Sequence, residues 1–347
     1  MHRIRFTAAL IAIFVFVSTG CLNSKEPTPA KKKSFVVAFY NLENLFDTVN
    51  DPLKNDEEFL PDTEKLWGVE RLEAKMKSLA EVIRGMNPDI LGVCESENEQ
   101  VLKDLNSRHL ADLGMAVAYK ESPDERGIDN GLLYKTKLFE LVATDGIIVE
   151  LPSRSPTRLI LGVTLKHKKS KEIIRIYVNH WPSRRGGLEE SVPNRLKAAE
   201  VLRTEIDQFL VKNPKASVIC VGDFNDEPGD ESITRVLGAN AHSCDKKQRP
   251  DSLSQLFNLA AAKKNAGEGS YLYRSNWNML DQIIVNTRLV DGKGIEYQCG
   301  SFEVYKFDKY VQKDERYAGS SLPTFGGKKY LGGVSDHFPV FARFVLN

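Results

Sequence analysis

The chain has 347 residues, 41% hydrophobic and 27% charged, with a formal net charge of +1. That is the balance of a globular chain with enough residues for a large core, in one or two domains. It gives no support to a nucleic-acid binder that works through a generally basic surface, although a local basic groove stays open.

The N-terminus starts basic at His2-Arg3-Ile4-Arg5, runs apolar from Phe6 to Val17 apart from Thr7, and closes with Ser18-Thr19-Gly20-Cys21. Length and flanks predict a signal peptide over residues 1–20 rather than a membrane span. The small residue before Cys21 resembles a bacterial lipoprotein cleavage box, which implies that Cys21 is lipidated and becomes the first residue. A plain signal peptide is the alternative. Residues 21–34, with Pro27, Pro29 and Lys31 to Lys33, read as a tether. Loss of the leader removes Arg3 and Arg5 and takes the formal charge from +1 to −1. The expected location is the cell envelope, with a lipid anchor as the one membrane contact.

The folded part opens with a strand, Ser34 to Tyr40, that delivers Asn41, Leu42 and Glu43. Asn41 and Glu43 share one face if the chain stays extended. Asp51 to Glu64 is an acidic, proline-containing surface loop. Val69, Leu72, Met76, Leu79, Ile83 and Met86 recur at helical steps, and Asn87-Pro88 ends that helix. Asp89 to Cys94 is a strand with Glu95 at its exit, so parallel pairing of the two strands brings Asn41, Glu43 and Glu95 to one end. A helix over Asn98 to His109 and a strand over Met115 to Tyr119 follow. A turn through Asp129 and Asn130 comes next, then β-like runs at 132–134, 141–151, 158–165 and 173–179. The charged link Lys166 to Lys171 reads as a solvated hairpin.

The strand ending at Val178 runs into Asn179, His180, Trp181, Arg184 and Arg185. An amphipathic helix spans Leu196 to Leu210. Val218 to Val221 is a buried strand whose exit, Gly222-Asp223-Phe224-Asn225-Asp226, crowds polar groups onto a tight turn. Leu280 to Val285 and Ser335 to Val340 repeat the design with Asp281 and with Asp336-His337. A short helix is read over 229–237, few elements over 239–270, a strand-like run over 300–310 and a final strand over Phe338 to Leu346. Tyr273 and Trp277 read as packing rather than base-stacking residues. Cys94 and Cys220 sit in strand-like runs as buried residues. Cys244 and Cys299 are free to pair in an exported chain, although spacing does not establish a disulfide.

The strand ends pool Asn41, Glu43, Glu95, His180, Asp223, Asn225, Asp281, Asp336 and His337. Several carboxylates in one place repel unless a cation screens them. Oxygen donors without cysteine favour Mg²⁺, with Mn²⁺ or Ca²⁺ as alternatives. Two histidines beside carboxylates suit proton transfer near neutral pH, and the whole set fits attack of water on a phosphate ester. No GxxxxGK[ST] loop or GxSxG elbow is present, which argues against a P-loop NTPase or a serine hydrolase.

The residues Tyr40-Asn41-Leu42-Glu43, Pro88-Asp89-Ile90-Leu91 through Glu95, Asn179-His180, Gly222-Asp223-Phe224-Asn225, Asp281-Gln282-Ile283 and Ser335-Asp336-His337 resemble the endonuclease/exonuclease/phosphatase superfamily. This group includes DNase I-type nucleases, apurinic endonucleases, sphingomyelinases and inositol-phosphate 5-phosphatases. The resemblance implies an α/β four-layer αββα sandwich of two packed mixed sheets over residues 35–347, as a monomer. It implies metal ligation by Glu95 with Asn41, Glu43 and Asp336, although Glu43 also fits a place behind the ligands. Asp223 would orient the attacking water, Asn225 would touch the phosphate, and His337 would bind the scissile phosphate with Asp281 as its partner. His180 matches the second histidine of the DNase I and sphingomyelinase branches. Apurinic endonucleases carry a tyrosine there, which disfavours abasic-site repair. Arg184 and Arg185 would bind substrate phosphate or face water. The expected activity is Mg²⁺-dependent phosphodiester hydrolysis, with nucleic acid as substrate. A small phosphoester, such as sphingomyelin or an inositol phosphate, and a non-catalytic surface lipoprotein are the competing readings.

Overall fold

Two strand–helix–strand units set the architecture. In the first, strand β1 (Ser34–Leu45) leads through helix α1 (Val69–Met86) to strand β2 (Ile90–Ser96), and β1 and β2 pair in parallel. A short helix α2 (Glu99–Asp104) and strands β3 (Met115–Tyr119), β4 (Asp129–Lys135), β5 (Phe139–Ile147) and β6 (Ile160–His167) follow. The second unit is β7 (Ile173–His180), α3 (Val192–Lys212) and β8 (Ser217–Asp223), again with parallel strands. The chain then forms β9 (Ala239–Ala241), β10 (Leu256–Asn258), helix α4 (Ala261–Asn265), and the hairpin β11 (Tyr271–Tyr273) and β12 (Asn276–Asn278). It ends with β13 (Asp281–Asn286), β14 (Ile295–Tyr297), β15 (Glu303–Val304), the hairpin β16 (Phe325–Gly326) and β17 (Lys329–Tyr330), and β18 (Val340–Leu346). This computed structural model describes residues 34–244, 254–314 and 316–347; the predicted leader and Cys21 lie outside them. Among the described residues no helix is long and apolar enough to cross a membrane.

One sheet runs β14-β18-β1-β2-β4-β3, with β15 also on β18, and the other runs β5-β6-β7-β8-β13-β10-β9. Both mix parallel and antiparallel neighbours, and their inner faces pack together. Period-two alternation sends Phe35, Val37 and Phe39 of β1 into the inter-sheet core with Ile176, Val178, Ile219 and Val221 of the other sheet. The alternate residues Ala38, Tyr40 and Leu42 pack outward against Met76, Leu79 and Ile83 of α1. On the far side, Tyr177, Val218 and Cys220 pack against Ala199, Leu202 and Ile206 of α3. The result is the four-layer αββα sandwich. At its centre the sheets approach closely enough that a Cβ on Gly92 would lie 2.6 Å from a methyl of Val221.

Local signals held where periodicity was strong. Helix α1 stops at Asn87, whose left-handed φ of 46° lets its N–H bond back to Ile83 and Arg84 before Pro88. Helix α3 starts earlier than its apolar pattern, at Val192, with a proline in its first turn. The predicted helix over 98–109 is α2 followed by a wider π turn, Leu105–His109. The predicted run at 141–151 shifts to Phe139–Ile147, and 300–310 shortens to a two-residue strand and a 3₁₀ turn. Most of 229–237 is a π turn, Ser232–Val236. The structure joins Cys244 and Cys299 in a disulfide, and buries Cys94 and Cys220.

The loop after β1 is not simply a surface loop. Phe59 stacks on Phe46 and meets Trp67 edge-on, forming a small satellite core. Beside it Glu97 is buried, its carboxylate accepting from Asp47 N at 2.6 Å. Burial pushes the Glu97 carboxyl up to about 8; the Asp47 and Asp56 carboxylates add to the shift and the bond from Asp47 N opposes it. Because the folded-state pKa lies above the unfolded value, stability is full at low pH and falls as pH rises from about 4.5 to about 8. Glu97→Gln keeps the acceptor, supplies a permanent donor toward Asp56 and removes the titration. It should therefore raise Tm at pH 8.5 by several degrees, about 1–2 kcal/mol, and change little at pH 5. Thermal unfolding at the two pH values checks this.

Candidate active site

The sheet registers assemble the polar strand ends. His180 pairs with Asp223 across β7 and β8, and Asp223 pairs with Asp281 across β8 and β13, so three of these residues stand in one row. Asn41 leaves β1 and Glu95 leaves β2 at the facing end of the other sheet. Ser335 anchors the third segment: its hydroxyl donates to Asn41 O (2.8 Å) and accepts from His337 N (3.1 Å). Close packing beneath the row needs glycine at 222, where a Cβ would lie 2.5 Å from Asn179 O.

The side chains converge. Asn41 Nδ2 donates to Asp223 Oδ2 at 3.2 Å and to Glu95 Oε1 at 3.3 Å. Asn44 N donates to Glu95 Oε2 at 3.0 Å. His180 Nε2 stands 3.8 Å from both Glu95 Oε1 and Asp223 Oδ2. His337 Nε2 is 3.8 Å from Asp223 Oδ2, while its Nδ1 contacts Asp281 Oδ2 at 2.7 Å. Burial pushes the Asp223 carboxyl up to about 6, with Asp281 and Glu95 adding and His337 opposing. Burial likewise pushes Asp336 up to about 7, with Glu43 and Glu95 adding against His337 and Lys75. Burial alone would lower the His337 pKa, but Asp281, Asp336 and Asp223 outweigh it and hold the imidazole well above its ordinary value. His180 goes the other way: burial, then Arg158 and Arg126, hold it well below, and its Nδ1 is buried without a partner. The two histidines are thus set apart, one cationic and one neutral.

Glu43 does not join this row. The chain turns at Glu43 and Asn44 (φ 49° and 54°), so the period-two argument fails where β1 bulges. The Glu43 carboxylate accepts from Thr324 N at 2.6 Å and lies 3.9 Å from the fully buried Lys75 ammonium. Lys75 also donates to Glu43 O (2.7 Å) and Thr324 Oγ1 (2.5 Å), tying the end of β1 to the segment that carries Asp336. Nothing in the local sequence marks Lys75 among the residues of α1.

The turn after β8 is held from below. Asn225 takes φ 50°, its N–H caps Asp223 Oδ1 (2.9 Å) and its amide donates to Trp181 O (3.0 Å). Arg184 is committed to this turn, donating to Asn225 O (2.7 Å) and Asp230 Oδ2 (3.1 Å). Arg185 is exposed. Asp226 points away from the row and pairs with the fully buried Arg195 at 2.6 Å. Asp129 and Asn130 are also structural. Asp129 accepts from Ser122 N and Tyr119, and Asn130 donates to Leu159 O at 2.8 Å.

The row lies in a cleft of about 1330 Å³. Its walls include Arg126, Arg158, Arg184, Arg185 and Arg274, with Tyr271 and Tyr273. Arg126, Arg158 and Arg274 escape a reading by strand ends because they sit on loops. Trp277 packs on Phe338, as its sequence context suggested, whereas Tyr273 is 53% exposed.

The donor chemistry fits a hard divalent ion. Ligand atoms of Asp223, Asp281 and His337 lie within 4.8 Å of one another, so this buried group can hold a metal. Asp281 Oδ1 is buried without a partner. However, Asp281 Oδ2 and His337 Nδ1 already satisfy each other, and an ion there would break that pair. Glu95, Asn41 and Asp336 form a second oxygen-rich set beside it, and the raised Asp336 pKa is what an acid cluster shows when no cation balances it.

A model of the endonuclease/exonuclease/phosphatase family matches residues 36–345. Curated proteins show no significant sequence match. Among solved structures, truncated Caenorhabditis elegans TDP2 superposes with a TM-score of 0.56 at 17% identity, over 90% of this chain and 97% of that one. The human Nocturnin catalytic domain, with bound sulfate, gives 0.56 at 18%, over 90% and 95%. A mannosyl-6-phosphatase of Bacteroides thetaiotaomicron VPI-5482 gives 0.56 at 16%, over 90% and 100%. At these identities the superpositions speak for the fold, and the family match spans nearly the whole folded part. The chain belongs to the endonuclease/exonuclease/phosphatase family.

Proposed function

We propose that the chain is an exported, lipid-anchored, Mg²⁺-dependent phosphodiesterase acting on nucleic acid. The observation that carries this reading is the row His180–Asp223–Asp281 with His337, lying in a cleft whose walls bear five arginines. Clustered guanidinium groups suit a substrate with several phosphates better than one with a single phosphate. Asp223 takes the proton of the attacking water. Cationic His337, held by Asp281, donates to a non-bridging oxygen of the scissile phosphate as charge grows there. Neutral His180 donates through one ring nitrogen toward the leaving oxygen, and Asn225 orients the phosphate. Glu95, Asn41 and Asp336 would hold Mg²⁺, for which Mn²⁺ or Ca²⁺ can substitute, and the ion would supply Lewis-acid polarisation of a phosphoryl oxygen. The leader ending at Cys21 supports export, and the Cys244–Cys299 disulfide agrees with an oxidising compartment.

A small phosphoester is the second reading. It is favoured by the likeness in fold to a protein titled mannosyl-6-phosphatase. A panel of single-stranded DNA, RNA, sphingomyelin, inositol phosphates and mannose 6-phosphate, each with Mg²⁺ and with chelator, tests both. Strand cleavage that disappears on chelation and returns with Mg²⁺ is the expected result. Turnover confined to the sugar or inositol phosphates would replace it with the second reading. No turnover across the panel, together with no metal binding, would leave a non-catalytic surface lipoprotein.

A further inference from the structure

The hairpin of β11 and β12 puts an aromatic ladder directly on His337. Tyr271 bridges to His337 through the backbone and stacks on its ring, with centroids 4.6 Å apart and planes 25° apart. Tyr273 continues the row, 6.5 Å from Tyr271 at 11°, and the Arg274 guanidinium lies 5.2 Å from the Tyr273 ring centre. The opposite face of the hairpin is spoken for: Trp277, paired across from Leu272, stacks on Phe338. The hairpin is therefore pinned from one side while Tyr273 stays 53% exposed on the other, in the wall of the cleft. The turn at its tip is strained. Arg274 and Ser275 both take positive φ (46° and 68°), a tight hairpin geometry that glycine and asparagine fill at lower cost. Such cost at an exposed tip is expected where the side chain placed there has work to do, and here it holds a guanidinium over an exposed ring.

We infer that Tyr273, backed by Tyr271 and capped by Arg274, is a subsite for the nucleobase next to the scissile phosphate. The inference deepens the phosphodiesterase reading and rests on it for the placement of phosphate at His337. It assigns the substrate to strands with an unpaired base rather than to sugar or inositol phosphates. A parallel row of rings leading away from the phosphate-binding histidine offers π-faces to a flat ring, and stacking of this kind accepts any base. A sugar ring has no π-face to offer.

Equilibrium binding to the full chain separates the inference from the activity. Thymidine 5′-monophosphate and 2-deoxyribose 5-phosphate present the same phosphate with and without a base. The wild-type chain should bind the nucleotide about tenfold more tightly than the sugar phosphate. Tyr273→Ala should abolish that preference without changing affinity for the sugar phosphate, and Tyr273→Trp should restore it. Since Tyr273 is exposed, unchanged Tm in both variants is expected. Equal affinity for the two ligands in the wild type, a preference that survives Tyr273→Ala, or no binding of either ligand would overturn the subsite. Cleavage of a single strand is scored separately. A chain that shows the base preference yet cuts no strand keeps the subsite and loses the proposed activity.

Discussion

Asp223→Asn is expected to lower kcat for phosphodiester cleavage by about 10²–10⁴-fold and to leave Tm nearly unchanged. The substitution keeps the shape of a side chain that is 2% exposed and lets the amide oxygen accept from Asn225 N as the carboxylate does. What it removes is the capacity to take a proton from water. It also puts an amide donor opposite Asn41 Nδ2, which now donates to Asp223 Oδ2 at 3.2 Å. Single-turnover kinetics alongside thermal unfolding decide the matter. Activity within a few fold of wild type would move the base elsewhere in the row. In the wild type, the Asp223 carboxyl sits at about 6, so turnover should rise with pH as that group loses its proton.

The second large effect concerns the Asp281–His337 pair. The imidazole stays cationic because Asp281 contacts Nδ1 at 2.7 Å, with Asp336 and Asp223 nearby, against the cost of burial. Asp281→Asn removes the first of these charges. The His337 pKa then falls, and the alkaline limb of the pH–rate profile moves to lower pH. At pH 8 the loss in kcat should reach about 10²–10³-fold, and it should shrink at lower pH where His337 regains its proton. His337→Gln should lose activity at every pH. Parallel pH–rate profiles of the three proteins separate the cases; an Asp281→Asn limb that coincides with wild type would remove Asp281 as the partner that sets the charge.

Much of the site could be read before any fold was known, and the reason is local. Gly222-Asp223-Phe224-Asn225, Asp281 and Ser335-Asp336-His337 each follow or precede a short apolar run, and period-two and 3.6-residue patterns are properties of neighbouring residues. The helix ending at Asn87-Pro88 and the strands on either side came from the same signals. Where the pattern weakened, the reading did too: β9, β10 and α4 lie in a stretch with little periodicity, and the run at 141–151 slid by several residues.

Other features depend on which strand lies beside which. That β8 has β7 on one side and β13 on the other is what aligns His180, Asp223 and Asp281, and no local pattern encodes it. The left-handed turn at Glu43 withdraws that carboxylate from the row and presents it to Lys75, a residue that looks from sequence like any lysine on a helix. Arg126 and Arg158 reach the cleft, and lower the His180 pKa, only because the loops that bear them fold over it. The Cys244–Cys299 pairing and the exposure of Tyr273 likewise depend on distant segments meeting. Residue identity and short-range periodicity were enough to name the groups that can do phosphoester chemistry and the family that uses them. Their row, their unequal protonation and the ladder leading from His337 arise from long-range packing, because burial and neighbouring charge belong to the folded chain and not to any one segment.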